Sequence, residues 1–136
     1  MKRYSNSFRF SDELKAIHQV THLTPCRQCN LPLLGVIYDN GQGVPQDYKA
    51  AVKWYSLAAE QGHAFAQYNL GVSYTNGEGV IQDNVYAHMW WNLSASTGNE
   101  KARENRDIVA EDMTPSQLEK AQDLARECVA KNYKGC

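Results

Sequence analysis

Residues 34–66 of this chain read LGVIYDNGQGVPQDYKAAVKWYSLAAEQGHAFA, and residues 70–102 read LGVSYTNGEGVIQDNVYAHMWWNLSASTGNEKA. Aligned at a shift of 36 residues, the two stretches are identical at 16 of 33 positions, where unrelated sequences would share about two. A fixed period of this length is typical of proteins built from stacked structural repeats. The repetition therefore predicts a fold of stacked structural repeats.

Each repeated unit is predicted to form two antiparallel helices. In the second unit, apolar side chains recur at i, i+4 and i+8, which predicts a helix near residues 64–75. Asp83 is placed to cap the following helix, and Gly98 is placed to end it. The first unit repeats this arrangement with Asp47 as the cap and Gly62 as the end.

Two glycines and two tryptophans recur at equivalent positions of the two units and indicate how the helices pack. Gly35 and Gly71 fall inside predicted helices, where each costs about 1 kcal/mol relative to alanine. We infer that both positions need a close approach to a Trp or Tyr side chain of a neighbouring helix. Trp54 and Trp90 also recur at equal register, which favours core packing over a stacking platform.

The chain continues beyond the second unit with two further predicted helices. Residues 99–111 are predicted to form a helix that corresponds to the first helix of each unit, with Arg106 at the position equivalent to Leu70. Thr114 and Gln117 then form a capping-box pattern ahead of an amphipathic helix that extends to about residue 131. A polar terminal unit is what a helical stack needs to end in water.

These elements predict an all-α fold, a right-handed α/α superhelix (solenoid) of stacked helix-turn-helix repeats in one domain. With only two strong repeats, two chains could also pair as a homodimer through exposed solenoid ends. The predicted parts are a lead-in segment with one short helix near residues 12–22 (1–29), repeat 1 (30–62), repeat 2 (63–98), and a degenerate terminal repeat with a capping helix (99–136).

The composition excludes several classes of protein. The 136 residues are 43% hydrophobic and 21% charged, as in a single globular domain. The formal net charge of −1 argues against nucleic-acid binding, and no stretch approaches the ~20 apolar residues of a membrane span. Residues 1–20 lack the apolar core of a secretory signal. We therefore expect a cytoplasmic protein, or a periplasmic or secreted one if a signal has been removed.

No pattern in the chain predicts a reaction. The glycine pairs at 41–43 and 77–79 lack the preceding strand and third glycine of a dinucleotide-binding fold. No nucleophile elbow or paired-carboxylate context accompanies the serine, histidine and acidic residues. A non-catalytic protein without a cofactor is therefore expected.

The motifs of the second unit resemble those of the Sel-one-like repeat (SLR) family, a relative of the tetratricopeptide repeat. The resemblance covers residues 30–131, and the ending is similar to that of bacterial SLR chains. It implies an adaptor or scaffold in which the first helix of each repeat lines a concave groove. This groove binds a partner protein or peptide. The motifs are Leu70-Gly71-x-x-Tyr74, Gly77-x-Gly79-Val80-x-Gln82-Asp83, Ala87-x-x-Trp90-Trp91 and Ala95-x-x-Gly98.

The same resemblance implies which residues line the groove. The helical wheel independently places Phe65, Tyr68 and Val72 off the buried stripe, and exposed aromatic residues beside polar groups are typical of an interaction surface. Alternatively, Phe65 and Tyr68 pack against the next helix pair, and Asn40 and Asn76 simply end their helices, because Asn tolerates the left-handed conformation. The implied positions are Phe65, Tyr68, Val72, Thr75 and Asn76 in the second unit, and Cys29, Pro32, Val36, Asp39 and Asn40 in the first.

The N-terminal segment allows a different class of function. His18, His22, Cys26 and Cys29 are the ligand types of a tetrahedral zinc site, and the two cysteines could form a redox pair. The spacing matches no common zinc finger, and no strand-to-helix context accompanies the cysteines. An amphipathic lead-in helix is the favoured reading, and a zinc-binding or thiol-redox module on residues 18–29 is the alternative.

The remaining two cysteines lie at the end of the chain. Cys128-x7-Cys136 resembles the Cys-x7-Cys pairs with which the cysteine-rich branch of the SLR family links its helix pairs. The earlier units hold no counterpart, and a bridge would require an oxidising compartment. Reduced thiols are therefore expected.

Overall fold

The structure, a computed structural model, describes residues 30–136. The lead-in helix predicted near residues 12–22 lies outside the described residues. Within them the chain is all-α, as predicted, and none of its helices is long and apolar enough to span a membrane. The helices are α1 (Leu31–Asn40), α2 (Tyr48–Ala59), α3 (Ala64–Asn76), α4 (Asn84–Ser96), α5 (Glu100–Glu111) and α6 (Pro115–Ala130).

The second helix of each repeat begins at the aspartate that the sequence predicts as its cap. The Asp47 carboxylate accepts a hydrogen bond from the Ala50 N–H at 3.1 Å, and that of Asp83 accepts one from the Val85 N–H at 2.8 Å. Each bond satisfies a backbone donor that the first helical turn leaves free. Both predicted caps are confirmed.

Adjacent helices pack on one another in chain order. α1 packs on α2, α2 on α3, α3 on α4, and α4 on α5. One apolar core joins repeats 1 and 2 and contains the buried side chains Tyr55, Leu70 and Trp90. A second core joins repeat 2 to α5 through Trp91 and Val109. Core packing is thus confirmed for Trp90.

The two helical glycines lie against aromatic rings of the paired helix. The Tyr55 ring occupies the space that a Cβ on Gly35 would need, and the Trp91 indole does the same at Gly71. The predicted close approach is therefore confirmed at both positions.

α6 has the predicted capping box but packs away from α5. The Thr114 hydroxyl accepts from the Gln117 N–H at 3.2 Å, and the Gln117 side chain accepts from the Thr114 N–H at 2.9 Å. Beyond this turn, α6 packs mainly against α4. Ala125 joins the core of repeats 1 and 2, while the start of α6 joins the second core through Ala121.

The last residues turn back and form a disulfide, so the prediction of reduced thiols is wrong. Asn132 and Tyr133 take positive φ angles of 51° and 65°, and this reversal brings Cys136 to Cys128, with their Cα atoms 5.5 Å apart. The bridge is local to the end of α6, so the absence of a counterpart in the repeats did not bear on it.

The tail also reaches repeat 1. The Tyr133 ring packs on the first core and lies beside Gly62 in the α2–α3 connection. The Gly135 N–H donates to Glu60 Oε1 at 3.4 Å. The C-terminal segment therefore contacts the first core and the connection between α2 and α3.

Candidate partner-binding groove

A cavity of about 380 Å³ separates α3 from α5. We call it the α3–α5 groove. Val72, Thr75 and Asn76 form one wall, and Asn105, Ile108 and Asp112 form the other. Gln82, Asn84, Trp91 and Val109 complete the lining. Both walls are thus built from the first helices of successive units, α3 and α5.

The structure brings three of the predicted residues together in this groove. Val72, Thr75 and Asn76 share its α3 wall. The Thr75 hydroxyl donates to the Gly71 carbonyl at 2.9 Å, and the half-buried Val72 side chain packs partly against the second core. Their role in binding remains a prediction.

Tyr68 and Phe65 lie further towards the start of α3. The Tyr68 hydroxyl accepts a hydrogen bond from Asn105 Nδ2 at 3.4 Å, and its backbone carbonyl accepts one from the Trp91 indole at 3.1 Å. Tyr68 therefore packs against the second core and links α3 to the opposite wall. Phe65 is 51% exposed, an unusual degree for a side chain of this size.

The structure does not place the first-unit candidates in the groove. Val36 is half-buried against the first core. The Asp39 carboxylate accepts from the Tyr55 hydroxyl at 3.2 Å, and its backbone carbonyl accepts from Gln46 Nε2 at 2.7 Å. Burial raises the pKa of Asp39, the nearby charge of Glu78 adds to the rise, and the Tyr55 hydrogen bond partly offsets it. Asp39 is therefore committed to internal contacts.

The asparagines before the loop glycines end their helices, but the glycines take the left-handed conformation. Gly41 and Gly77 have φ angles of 66° and 72°. Asn40 and Asn76 remain the last helical residues. They end their helices as predicted, but the prediction that asparagine itself takes the left-handed conformation is wrong. Asn76 stays exposed, and its Nδ2 donates to Glu78 Oε2 at 3.2 Å.

The α5 residues that line the groove were not predicted, although the 36-residue shift relates them to residues of the α3 wall. Shifting Val72 and Asn76 by one period gives Ile108 and Asp112, and both line the groove. Ile108 is 63% exposed. The groove positions implied by the family resemblance covered only the first two units.

A comparison with protein-family models covers the two predicted repeats and ends before α5. The Sel1 repeat model matches residues 33–63 and 64–99. This chain carries two Sel1 repeats. No curated protein matches it.

Two solved structures share the fold of these Sel1 repeats. One is the crystal structure of c5321, a protective antigen of uropathogenic Escherichia coli strains displaying an SLR fold, with a TM-score of 0.77 and 28% identity. The other is a Sel1 repeat protein from Oxalobacter formigenes, with a TM-score of 0.63 and 36% identity. The matches cover 93% and 73% of this chain, but only 28% and 42% of the respective structures. The chain thus spans less than half the length of either protein.

The alternative zinc or redox site lies outside the described residues. His18, His22, Cys26 and Cys29 all precede residue 30. Between residues 30 and 136, no group of three or more His, Cys, Asp or Glu side chains is arranged to hold a metal ion.

A second cavity, of about 780 Å³, lies where α5 and α6 diverge over α4. Arg106, at the register of Leu70, donates to Asn92 Oδ1 at 3.0 Å and pairs with Asp107 at 2.9 Å. His88 is buried, and its Nδ1 has no hydrogen-bond partner within the described part of the chain. Burial lowers the pKa of His88, and the nearby Arg106 lowers it further. The imidazole is therefore neutral at pH 7.

Proposed function

We propose that this chain is a non-catalytic protein-interaction module whose α3–α5 groove binds an extended peptide segment of a partner protein. Val72 and Ile108 provide apolar surface on the two opposing walls, and Asn76 and Asn105 provide carboxamides. This pairing of apolar and amide groups across one groove is the observation that carries the proposal. The Sel1 repeats support it, because such repeats commonly serve protein interaction.

The groove chemistry specifies the kind of peptide. Carboxamides both donate and accept hydrogen bonds, as an extended peptide backbone requires. The exposed Ile108 favours an apolar ligand side chain, since covering it removes apolar surface from water. Asp112 is the one charged side chain among the ten that line the groove, so a Lys or Arg on the peptide would find its counter-charge there.

A displayed library of random peptides tests this proposal. Selection on the full chain is expected to yield peptides that combine an apolar residue with Lys or Arg. Ile108→Asp should weaken the selected peptides at least tenfold, about 1.4 kcal/mol, and Asp112→Asn should weaken those with a basic residue. Ile81→Asp is the matched control, because Ile81 is 89% exposed and lies outside the groove. Equal binding by Ile108→Asp and the control would refute the proposal.

We further propose that the protein works in an oxidising compartment. The Cys128–Cys136 disulfide supports this, because such bridges form and persist in the periplasm or outside the cell. Thiol alkylation followed by mass spectrometry, applied to protein isolated from its own cells, should show both cysteines blocked. Free thiols at both positions would argue for the cytoplasm.

A further inference from the structure

The second cavity, between α4, α5 and α6, lies where the third unit lacks an aromatic ring that repeat 2 has. On α5, Ala110 stands 36 residues after Tyr74 of α3, and Arg106 stands 36 residues after Leu70. Leu70 is buried in the first core, and the Tyr74 ring packs on both cores and stacks on Tyr86 at 5.2 Å. Ala110 and Arg106 instead line the cavity of about 780 Å³. The third unit thus has space and a guanidinium where repeat 2 has two apolar side chains.

The α4 side of this cavity contains a buried polar side chain that no other group satisfies. His88 lines the cavity and is only 5% exposed, and its Nδ1 has no hydrogen-bond partner among the described residues. A neutral imidazole offers one N–H donor and one acceptor. Because a buried polar atom without a partner is costly, a hydrogen-bonding ligand group beside His88 would stabilise the complex.

Two arginines give the cavity a surplus of hydrogen-bond donors. The Arg106 guanidinium has five N–H groups, of which Asp107 and Asn92 engage three, through Nε, Nη1 and Nη2. One N–H on each terminal nitrogen is therefore left over within residues 30–136. Arg126 lines the α6 wall, where it also pairs with Asp123. Asp107 is the one carboxylate in the lining, so a ligand carboxylate is the group that these donors fit.

Apolar side chains complete the lining. Leu93 of α4 and Leu118 and Val129 of α6 contribute to it, and Val129 is 52% exposed. A cavity of several hundred Å³ with apolar walls and a few convergent polar groups is typical of a small-molecule site. The apolar part of the lining can cover a ring, as the core of repeat 2 covers that of Tyr74.

We propose that this cavity binds a small aromatic carboxylic acid. The ring of the acid takes the space beside Ala110 and Leu118, and its carboxylate accepts hydrogen bonds from Arg106, with Arg126 as a second positive charge. The cavity and the α3–α5 groove have no lining residue in common. This site therefore stands or falls independently of the peptide groove.

Nuclear magnetic resonance titration of the full chain with three probes tests the proposal. Phenylacetate carries a ring and a carboxylate, 2-phenylethanol lacks the carboxylate, and butyrate lacks the ring. Phenylacetate should bind at least tenfold more tightly than either of the others, and it should shift the imidazole signals of His88. Equal binding of the three probes, or binding of phenylacetate without a shift at His88, would overturn the proposal.

Substitutions that restore the residues of repeat 2 should close the site. Ala110→Tyr fills the space with the equivalent ring, and Arg106→Leu removes the guanidinium, so each should weaken phenylacetate binding at least tenfold. Arg103→Leu is the matched control, because Arg103 is an exposed arginine of the same helix outside the cavity. Where circular dichroism shows that a cavity variant has lost its helices, Arg126→Gln, at an exposed position, provides the same comparison.

Two results from these variants and probes would contradict the assignment. Unchanged phenylacetate binding in the folded cavity variants would mean that the acid binds elsewhere. Tighter binding of the dipeptide acetyl-Ala-Phe than of phenylacetate would assign the cavity to the carboxyl terminus of a partner protein instead of a small molecule.

Discussion

Replacing Gly71 by alanine tests whether the α3–α4 packing requires a missing side chain. The Trp91 indole lies where the new Cβ would stand. It is buried, and its N–H donates to the Tyr68 carbonyl at 3.1 Å. The ring cannot move away without losing that bond or disturbing the second core.

Three opposing effects set the size of the change. Alanine gains about 1 kcal/mol over glycine in a helix, and weakening the indole hydrogen bond costs about as much. These two roughly cancel. Forcing an extra methyl group into a filled core costs about 1–3 kcal/mol, and we expect this to be the net loss in the free energy of unfolding of Gly71→Ala.

Chemical denaturation followed by circular dichroism measures this loss. Gly71→Ala should lower the free energy of unfolding less when it is added to Trp91→Phe than when it is made in the unmodified chain. The smaller phenylalanine ring leaves room for the new methyl group. The Gly71→Ala variant should also bind groove peptides more weakly, because Trp91 lines the α3–α5 groove. Stabilisation of the chain by Gly71→Ala would refute the reasoning, since helix propensity alone would then decide the outcome.

Three other perturbations have defined outcomes. Cys136→Ser should lower the free energy of unfolding by about 2–3 kcal/mol, and a reductant should bring the unmodified chain to the same value without affecting the variant. Thr114→Ala should cost about 1 kcal/mol through loss of the capping box, measured by the denaturation midpoint, and Thr114→Ser should restore most of it. The lowered pKa of His88 means that the unfolded chain binds a proton more readily, so stability should fall as pH drops below about 6.5. Denaturation midpoints at pH 5 and pH 8 should differ less in His88→Gln than in the unmodified chain.

The helices and their caps were predictable because their signals are local. Asp47, Asp83 and Thr114 each cap a helix through atoms two or three residues away. The glycine–aromatic contacts were also predictable, because a residue that disfavours helices recurs at one register. Gly35 and Gly71 keep that cost in both repeats.

The direction of α6 and the far wall of the groove depend on long-range packing. α6 has no counterpart in the repeats, so no internal comparison shows that it packs on α4 instead of α5. Cys128 and Cys136 likewise have no counterpart in the repeats, and the reversal at Asn132 and Tyr133 brings them together. The α5 wall follows from the register once Ile108 is compared with Val72.

In a helical solenoid each unit contacts only its neighbours, so the stack can bend between units. Here the segment after α6 bridges non-adjacent parts of the stack, through Tyr133 on the core and Gly135 on Glu60. Such a brace resists bending between repeat 1 and α4, on which α6 packs. The two repeats would then lose less conformational entropy when a partner binds across them, but they would adapt less to partners of different shape.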